Sequence, residues 1–543
     1  MNDKMKNSLI LGGLTSSAGI FLTKVIGIIY VIPFSALATE PNLSYYARAY
    51  NIYEIVLNVS IAGMPYAIAT LIAKYQLKQQ YKTVLLVRKL SRSILALMGF
   101  VMMLALMVFA LPIAQLSVGG AIDSIEVVRT RNVMMIISLA VFTVPLLSSY
   151  RGFYQGLKEM SVYASSQVVE QLARVCFLLG LGFFLVVLLG YDPIWAVYAA
   201  ILSTSVAALF AIGLFIYKDR KVLNEIKDKA NTSDEIVPST KSLLLEIYSF
   251  SIPFLLNVLL NSVANFVNLL FFNQALIMHG DSIQQADLYY SMIMFTTFKL
   301  TSIPQVVAPG FIAAIIPYVT TSFEKKDFDA MRKHIIESIL VVFYLSLPLS
   351  YFLFGIAAHI YYVMYGDAHL ALGTEVLKIN SLTGLTFNLA AVSNALMMAL
   401  RLRKHNLTII SVTVVLATVT FIPFLAWIGY SGSIYSKVLT QLIMFVLNLY
   451  LLRKHFDVKF SLILKPVFVM VLGLVGMQLS FYLLEFMGLK VIDQGRIIAT
   501  FELAVYGIVG ILVYFAITSL SNLPKEILHL DIKRIIKKVT HAS

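Results

Sequence analysis

Apolar runs long enough to cross a bilayer recur along almost the whole chain, and that recurrence leaves few other folds open to it. A membrane helix needs about 20 consecutive, mostly apolar residues. Marking such runs gives fourteen, near 8–36, 49–73, 93–117, 132–154, 161–189, 193–217, 245–278, 286–321, 334–358, 373–400, 406–428, 432–452, 460–484 and 497–520. The longest stretch between them, Tyr217 to Leu243, is a charged linker too short to bury a core of its own. With 59% hydrophobic and 13% charged residues in 543, the chain is expected to be an all-α membrane protein of fourteen transmembrane helices.

The placement of charge matters more than the net value of +14. Of the 42 lysines and arginines, 32 fall in the N-terminus, the tail and the segments that follow even-numbered spans. The outer loops are assigned only Arg48, Arg129, Arg131, Lys490 and Arg496. Cytoplasmic loops carry the excess of Lys and Arg in membrane proteins, so both termini are expected in the cytoplasm, and the basic charge calls for no nucleic acid. Lys4 and Lys6 precede an apolar run that continues to about Leu37, past the length of a signal-peptide core, and it reads as a retained first span. The single cysteine, Cys176, lies within a span, which excludes a disulfide framework and a thiol metal site. No metal or cofactor is expected.

The two halves resemble each other. Arg151-Gly-Phe-Tyr-Gln-Gly-Leu-Lys leads from span four to span five, and Asn394-Ala-Leu-Met-Met-Ala-Leu-Arg leads from span ten to span eleven. Small residues with Pro or Gly interrupt span two at Ala62-Gly63-Met64-Pro65 and span eight at Ala308-Pro309-Gly310. The expected organisation is a six-helix lobe (1–217), a cytoplasmic linker (218–244), a second six-helix lobe (245–454), helices thirteen and fourteen (455–520) and a basic tail (521–543). Six is even, so the lobes form a parallel repeat around a central cavity, where a transporter places its site.

Lys24 and Lys299 sit inside spans one and eight with no acidic residue within helical reach. An unpaired ammonium inside a bilayer costs about 2.5–3.5 kcal/mol on insertion scales, so it marks a site whose anion arrives as a ligand. Polar faces accompany them. Asn257, Asn261, Asn265 and Asn268 are spaced four, four and three on span seven, on one helical face. Asn51, Glu54 and Asn58 repeat the pattern on span two, Ser17 shares a face with Lys24, and Ser302 and Gln305 follow Lys299. All are expected to line the cavity, with interhelical hydrogen bonding that fastens helices together as the alternative; Glu54 fits a counter-ion, a proton carrier or a cation ligand. Glu170 and Arg174 form an i,i+4 pair and read as structural. Glu375 with Lys378, Lys437 and Glu502 lie near the outer ends of their spans, where long side chains snorkel to the surface. At the C-terminus, Leu528, Ile532, Ile535, Ile536 and Val539 lie opposite Lys533, Arg534, Lys537 and Lys538, an interfacial helix for anionic lipid.

Ala62-Gly63-Met64-Pro65-Tyr66-Ala67-Ile68, Arg151-Gly-Phe-Tyr-Gln-Gly and Gln167-Val-Val-Glu-Gln-Leu-Ala-Arg174 resemble the polysaccharide-transporter branch of the multidrug/oligosaccharidyl-lipid/polysaccharide flippase superfamily. Within it the chain is most similar to the MurJ/YtgP-type lipid II flippases. The resemblance implies a bacterial cytoplasmic membrane protein with two lobes that alternate between inward-open and outward-open states. It also implies that basic residues of spans one and eight, here Lys24 and Lys299, bind the diphosphate of an undecaprenyl-linked sugar. Gram-negative members carry further arginines where this chain has Tyr30 and Asn58, and Arg48 at the outer mouth is the expected substitute. The implied partners are lipid II and other cell-wall synthesis proteins.

The leading expectation is therefore a lipid II flippase. A flippase for another polyprenyl-linked glycan, or a protein of the stage V sporulation B type, is the near alternative. A cation-coupled drug exporter would want carboxylates in the cavity. A membrane-embedded glycan polymerase would want clustered acidic residues or histidine near a surface, and the sequence has no such cluster, so no catalytic residue is assigned.

Overall fold

In a computed structural model the described residues are 26–27, 30–61, 63–157, 159–233, 235–493 and 495–528, and no strand occurs among them. They divide into two compact units, Met1–Ser291 and Met292–Ser543. The first contains α1 (Val31–Ala38), α2 (Glu40–Ile61), α3 (Met64–Leu77), α4 (Tyr81–Val118), α5 (Ile125–Gly156), α6 (Met160–Phe183) with a π-helical end at Phe184–Leu188, α7 (Ile194–Asn231), α8 (Thr240–His279) and α9 (Ile283–Ser291). The second opens with a π-helical segment, Met292–Thr296, then α10 (Thr297–Thr301), a 3-10 turn at Pro304–Val306 and α11 (Val307–Glu324). It continues through α12 (Phe328–Gly355), α13 (Ala357–Tyr365), α14 (Leu370–Ala399), α15 (Arg403–Ile428) and α16 (Ser431–Phe456), and ends with α17 (Leu464–Phe486), α18 (Arg496–Leu520) and α19 (Leu523–Leu528).

Ten of these helices are long and apolar enough to cross a membrane, which makes this a multi-pass membrane protein. The other expected crossings are the first, almost wholly outside the described residues, the seventh, within the 40-residue α8, and the second and eighth, which are broken. Fourteen spans are consistent with this set. The basic tail beyond Leu528 lies outside the described residues.

Both expected breaks have local causes. Between α2 and α3 the chain turns at Gly63, whose φ of 68° only glycine adopts freely, and Pro65 follows in the first turn of α3, where its missing N–H costs nothing. The two copies of the internal motif end their helices at the same place: α5 at Gly156 and α14 at Ala399. Gly152 and Gly156 let α3 lie directly on α5, since a Cβ on Gly152 would stand 2.9 Å from the Pro65 carbonyl and one on Gly156 2.6 Å from Ile72. Ala395 and Ala399 hold these positions in the second copy. Each motif-bearing helix is central to its unit. α5 packs against α2, α3, α4 and α7, and α14 against α10, α11, α12, α13 and α16.

The expected linker is partly helix, because α7 runs on to Asn231. Its remainder and the start of α8 are clasped to the end of α3 and the first turn of α4. Lys82 donates to the Ser233 carbonyl at 2.7 Å, and the Thr83 N–H to Glu235 at 2.8 Å. Glu246 receives Lys74 and, at 2.7 Å, the Tyr75 hydroxyl. Burial, and then the carboxylate beside it, push that phenol up to about 12, so it stays a donor.

Candidate substrate-binding site

Lys299 is carried by the most irregular stretch of the second unit, and α14 repairs that irregularity. In the π-helical segment, freed carbonyls find side chains: Tyr365 donates to the Thr296 carbonyl at 2.9 Å, and Thr297 Oγ1 to Met292 at 2.7 Å. Asn380 donates to Thr297 Oγ1 at 2.8 Å. One turn beyond Lys299, Asn388 does something more specific. Its amide nitrogen donates to the Pro304 carbonyl at 2.7 Å, while its oxygen accepts from the Ala308 N–H at 3.1 Å. Those two groups would bond each other in a regular α-helix, so the amide stands in for the missing bond. Gly384, midway between the asparagines, permits the approach: a Cβ there would lie 2.9 Å from Pro304 Cγ.

Within this frame Lys299 is half-buried, with its Nζ 5.8 Å from the centre of the Phe295 ring, and it forms no ion pair among the described residues. Ser302, half-buried one turn on, bonds back to the Lys299 carbonyl at 2.8 Å. Gln305 is half-buried, and its Nε2 has no hydrogen-bond partner among the described residues. The arrangement offers a cation and a spare amide donor, which suits an anionic, hydrogen-bonding ligand.

The first unit treats its charges differently. Arg48 was expected in an outer loop as an anion ligand. It lies instead inside α2, fully buried, because Pro41 fits the first turn of a helix that begins at Glu40. Its Nη2 donates to Asp287 at 2.6 Å and to Asn273 at 2.9 Å, and Tyr290 stacks 4.6 Å from the guanidinium. Its charge is thus paired within the chain rather than open at an outer mouth, while its Nε and Nη1 have no hydrogen-bond partner among the described residues. Asn51 likewise is engaged, donating to the Tyr290 hydroxyl at 2.7 Å. Glu54 and Asn58 are exposed on the same helix. On α8 Asn265 is exposed and Asn268 half-buried, and the side chains of Asn257 and Asn261 lie outside the described set. Ser17 and Lys24 lie outside the described residues altogether. The Glu170–Arg174 pair is present at 2.7 Å and gains Arg151 at 2.6 Å.

Asn380, Gly384 and Asn388 were missed from sequence, although their spacing of four and four is the kind of signal that singled out the asparagines of α8. Lys437 was read as snorkelling; its Nζ lies 5.9 Å from the Phe298 ring centre, beside Lys299 in the chain.

Comparison with known proteins agrees with this architecture. The chain is 25% identical over 465 residues to the lipid II flippase MurJ of Bacillus subtilis (strain 168), covering 85% of both chains. It is 22% identical over 373 residues to stage V sporulation protein B of the same organism, covering 68% of this chain and 70% of the other. Among solved structures, a lipid II flippase MurJ in an inward closed conformation superposes with a TM-score of 0.68 at 11% identity, covering 93% of this chain and 98% of that one. The family described as polysaccharide biosynthesis protein matches residues 11–323, more than half of the 543 residues, and the chain belongs to that family.

Proposed function

We propose that this protein is a flippase that carries lipid II, the undecaprenyl-diphosphate-linked peptidoglycan precursor, from the inner to the outer leaflet of the bacterial cytoplasmic membrane by alternating access. The observation that carries the reading is Lys299, a half-buried ammonium with no ion-pair partner among the described residues, held on a broken helix. The likeness to MurJ and the family match support it. Lys24 also meets the diphosphate, and the polar residues of spans two, seven and eight meet sugar and peptide groups. The two six-helix lobes, 1–217 and 245–454, alternate around the cavity, and no covalent chemistry is needed. Both termini are cytoplasmic.

The test is complementation of a flippase-depleted cell by a Lys24→Ala, Lys299→Ala double variant, with abundance checked by blot and the leaflet position of lipid II measured. Loss of growth with lipid II held on the inner leaflet is expected; normal growth on a well-expressed double variant sinks the reading. The likeness to stage V sporulation protein B favours the broader class of polyprenyl-linked glycan flippases. A wild-type chain that leaves lipid II in place yet moves another such glycan would establish that alternative. Topology and cavity are tested in a Cys176→Ala background. An impermeant thiol reagent added outside should label Asp281→Cys and spare Asn231→Cys, and Asn265→Cys should react with a soluble reagent in at least one transport state.

A further inference from the structure

Lys437 stands on α16 with a face of its own. Lys437, Gln441, Met444 and Asn448, spaced four, three and four, form one stripe. Gln441 accepts from Thr386 at 2.5 Å, and Asn448 donates to Ser393 at 3.0 Å and Asn394 at 2.9 Å, so the stripe faces α14. The opposite stripe, Tyr435, Leu439, Leu442, Val446 and Tyr450, is exposed and apolar, as a lipid-facing surface is. A lysine snorkelling away from the protein would project from that side. Lys437, though exposed, lies on the other, and its ammonium stands over Phe298, while the Lys299 ammonium stands over Phe295 three residues earlier in the chain. Neither lysine has an acidic residue within four positions on its own helix, and neither forms an ion pair among the described residues.

We propose that Lys437 and Lys299 together form a two-ammonium clamp for a diphosphate, Lys437 being a binding residue that sequence reasoning left out. The inference rests on the reading above in taking the ligand to be a diphosphate lipid, and it adds the residue that separates a diphosphate from a monophosphate. Two unneutralised cations over rings three residues apart in the chain repel each other, and the aromatic faces offset that only in part. A dianion spanning both removes the repulsion. A monophosphate engages one and leaves the other unpaired.

The experiment uses the purified full-length protein and compares binding of undecaprenyl diphosphate and undecaprenyl phosphate, which share a chain and carry no sugar. Wild type is expected to prefer the diphosphate. Lys437→Gln should weaken diphosphate binding about tenfold and leave monophosphate binding unchanged, and Lys437→Arg should retain the preference. The clamp is overturned if wild type shows no preference, if Lys437→Gln keeps it, or if Lys437→Gln loses both lipids equally, which marks a packing role. Should Lys437→Gln not accumulate, Lys437→Met removes the charge with the apolar stem kept; failure of both to fold assigns Lys437 to structure and also overturns the clamp. Leaflet transfer of lipid II is scored separately. Wild type that does not move lipid II, with the preference lost in Lys437→Gln, sinks the function and leaves the clamp; transfer with the preference retained in Lys437→Gln does the reverse.

Discussion

Arg48 and Lys299 are both cations set inside helices of a membrane protein, one in each compact unit, and their surroundings are opposite. Arg48 is fully buried and held by Asp287 and Asn273 at 2.6 and 2.9 Å. Lys299 keeps a half-open ammonium with only an aromatic ring beside it among the described contacts. A charge within the bilayer is therefore not in itself a site. What separates the two is whether the chain supplies the anion, and Asp287 does so from 239 positions away.

Removing the internal anion should have the largest effect. Asp287→Ala strands a buried guanidinium and should destabilise the protein by about 3–5 kcal/mol, read as unfolding of the purified protein. Lys299→Ala should leave that unfolding nearly unchanged; equal destabilisation by both would break the comparison. The next effect belongs to the ligand. Lys299→Ala should weaken binding of undecaprenyl diphosphate by about 1.5–3 kcal/mol, roughly ten- to hundredfold, with Lys299→Arg milder and Lys299→Glu worst. Combined with Lys24→Ala, the losses should be non-additive in a double-mutant cycle. Asn388→Ala then tests the frame: it leaves the Ala308 N–H without its partner and the Pro304 carbonyl with only the Val307 N–H, about 1–3 kcal/mol of stability, with faster hydrogen exchange at Ala308. The smallest effect is at the linker clasp. Lys74 is 42% exposed in its pair with Glu246, so Lys74→Ala should cost, after solvent screening, no more than about 0.2–1 kcal/mol and the difference should fade in high salt.

Length and hydropathy made most spans legible, because the bilayer sets a minimum helix length. The motif at Arg151 and Asn394 located the central helix of each unit, since its small residues are needed wherever helices touch. Lys299 was legible because an ammonium without a neighbouring carboxylate is visible in one dimension. The partners of Arg48 were hidden for the same reason: Asp287, Asn273 and Tyr290 are remote in sequence, and Pro41 reads as a loop residue until the helix that starts at Glu40 is known. The π-helical segment and the contact between Lys437 and Phe298 depend on packing between helices, which periodicity along one helix does not encode.

The amide of Asn388 has a mechanical consequence. An unrepaired break would make span eight a loose joint. Here the gap is filled from α14 at Asn388, with Asn380 bonded to Thr297 two turns earlier. Sliding the two helices apart would expose several bare backbone and amide groups where hydrocarbon offers them nothing, at several kcal/mol each. Span eight and α14 therefore behave as one strut, and the lysine mounted on it travels wherever α14 travels. A spectroscopic label placed on the far side of α14 would report the position of the Lys299 ammonium throughout a transport cycle without touching it.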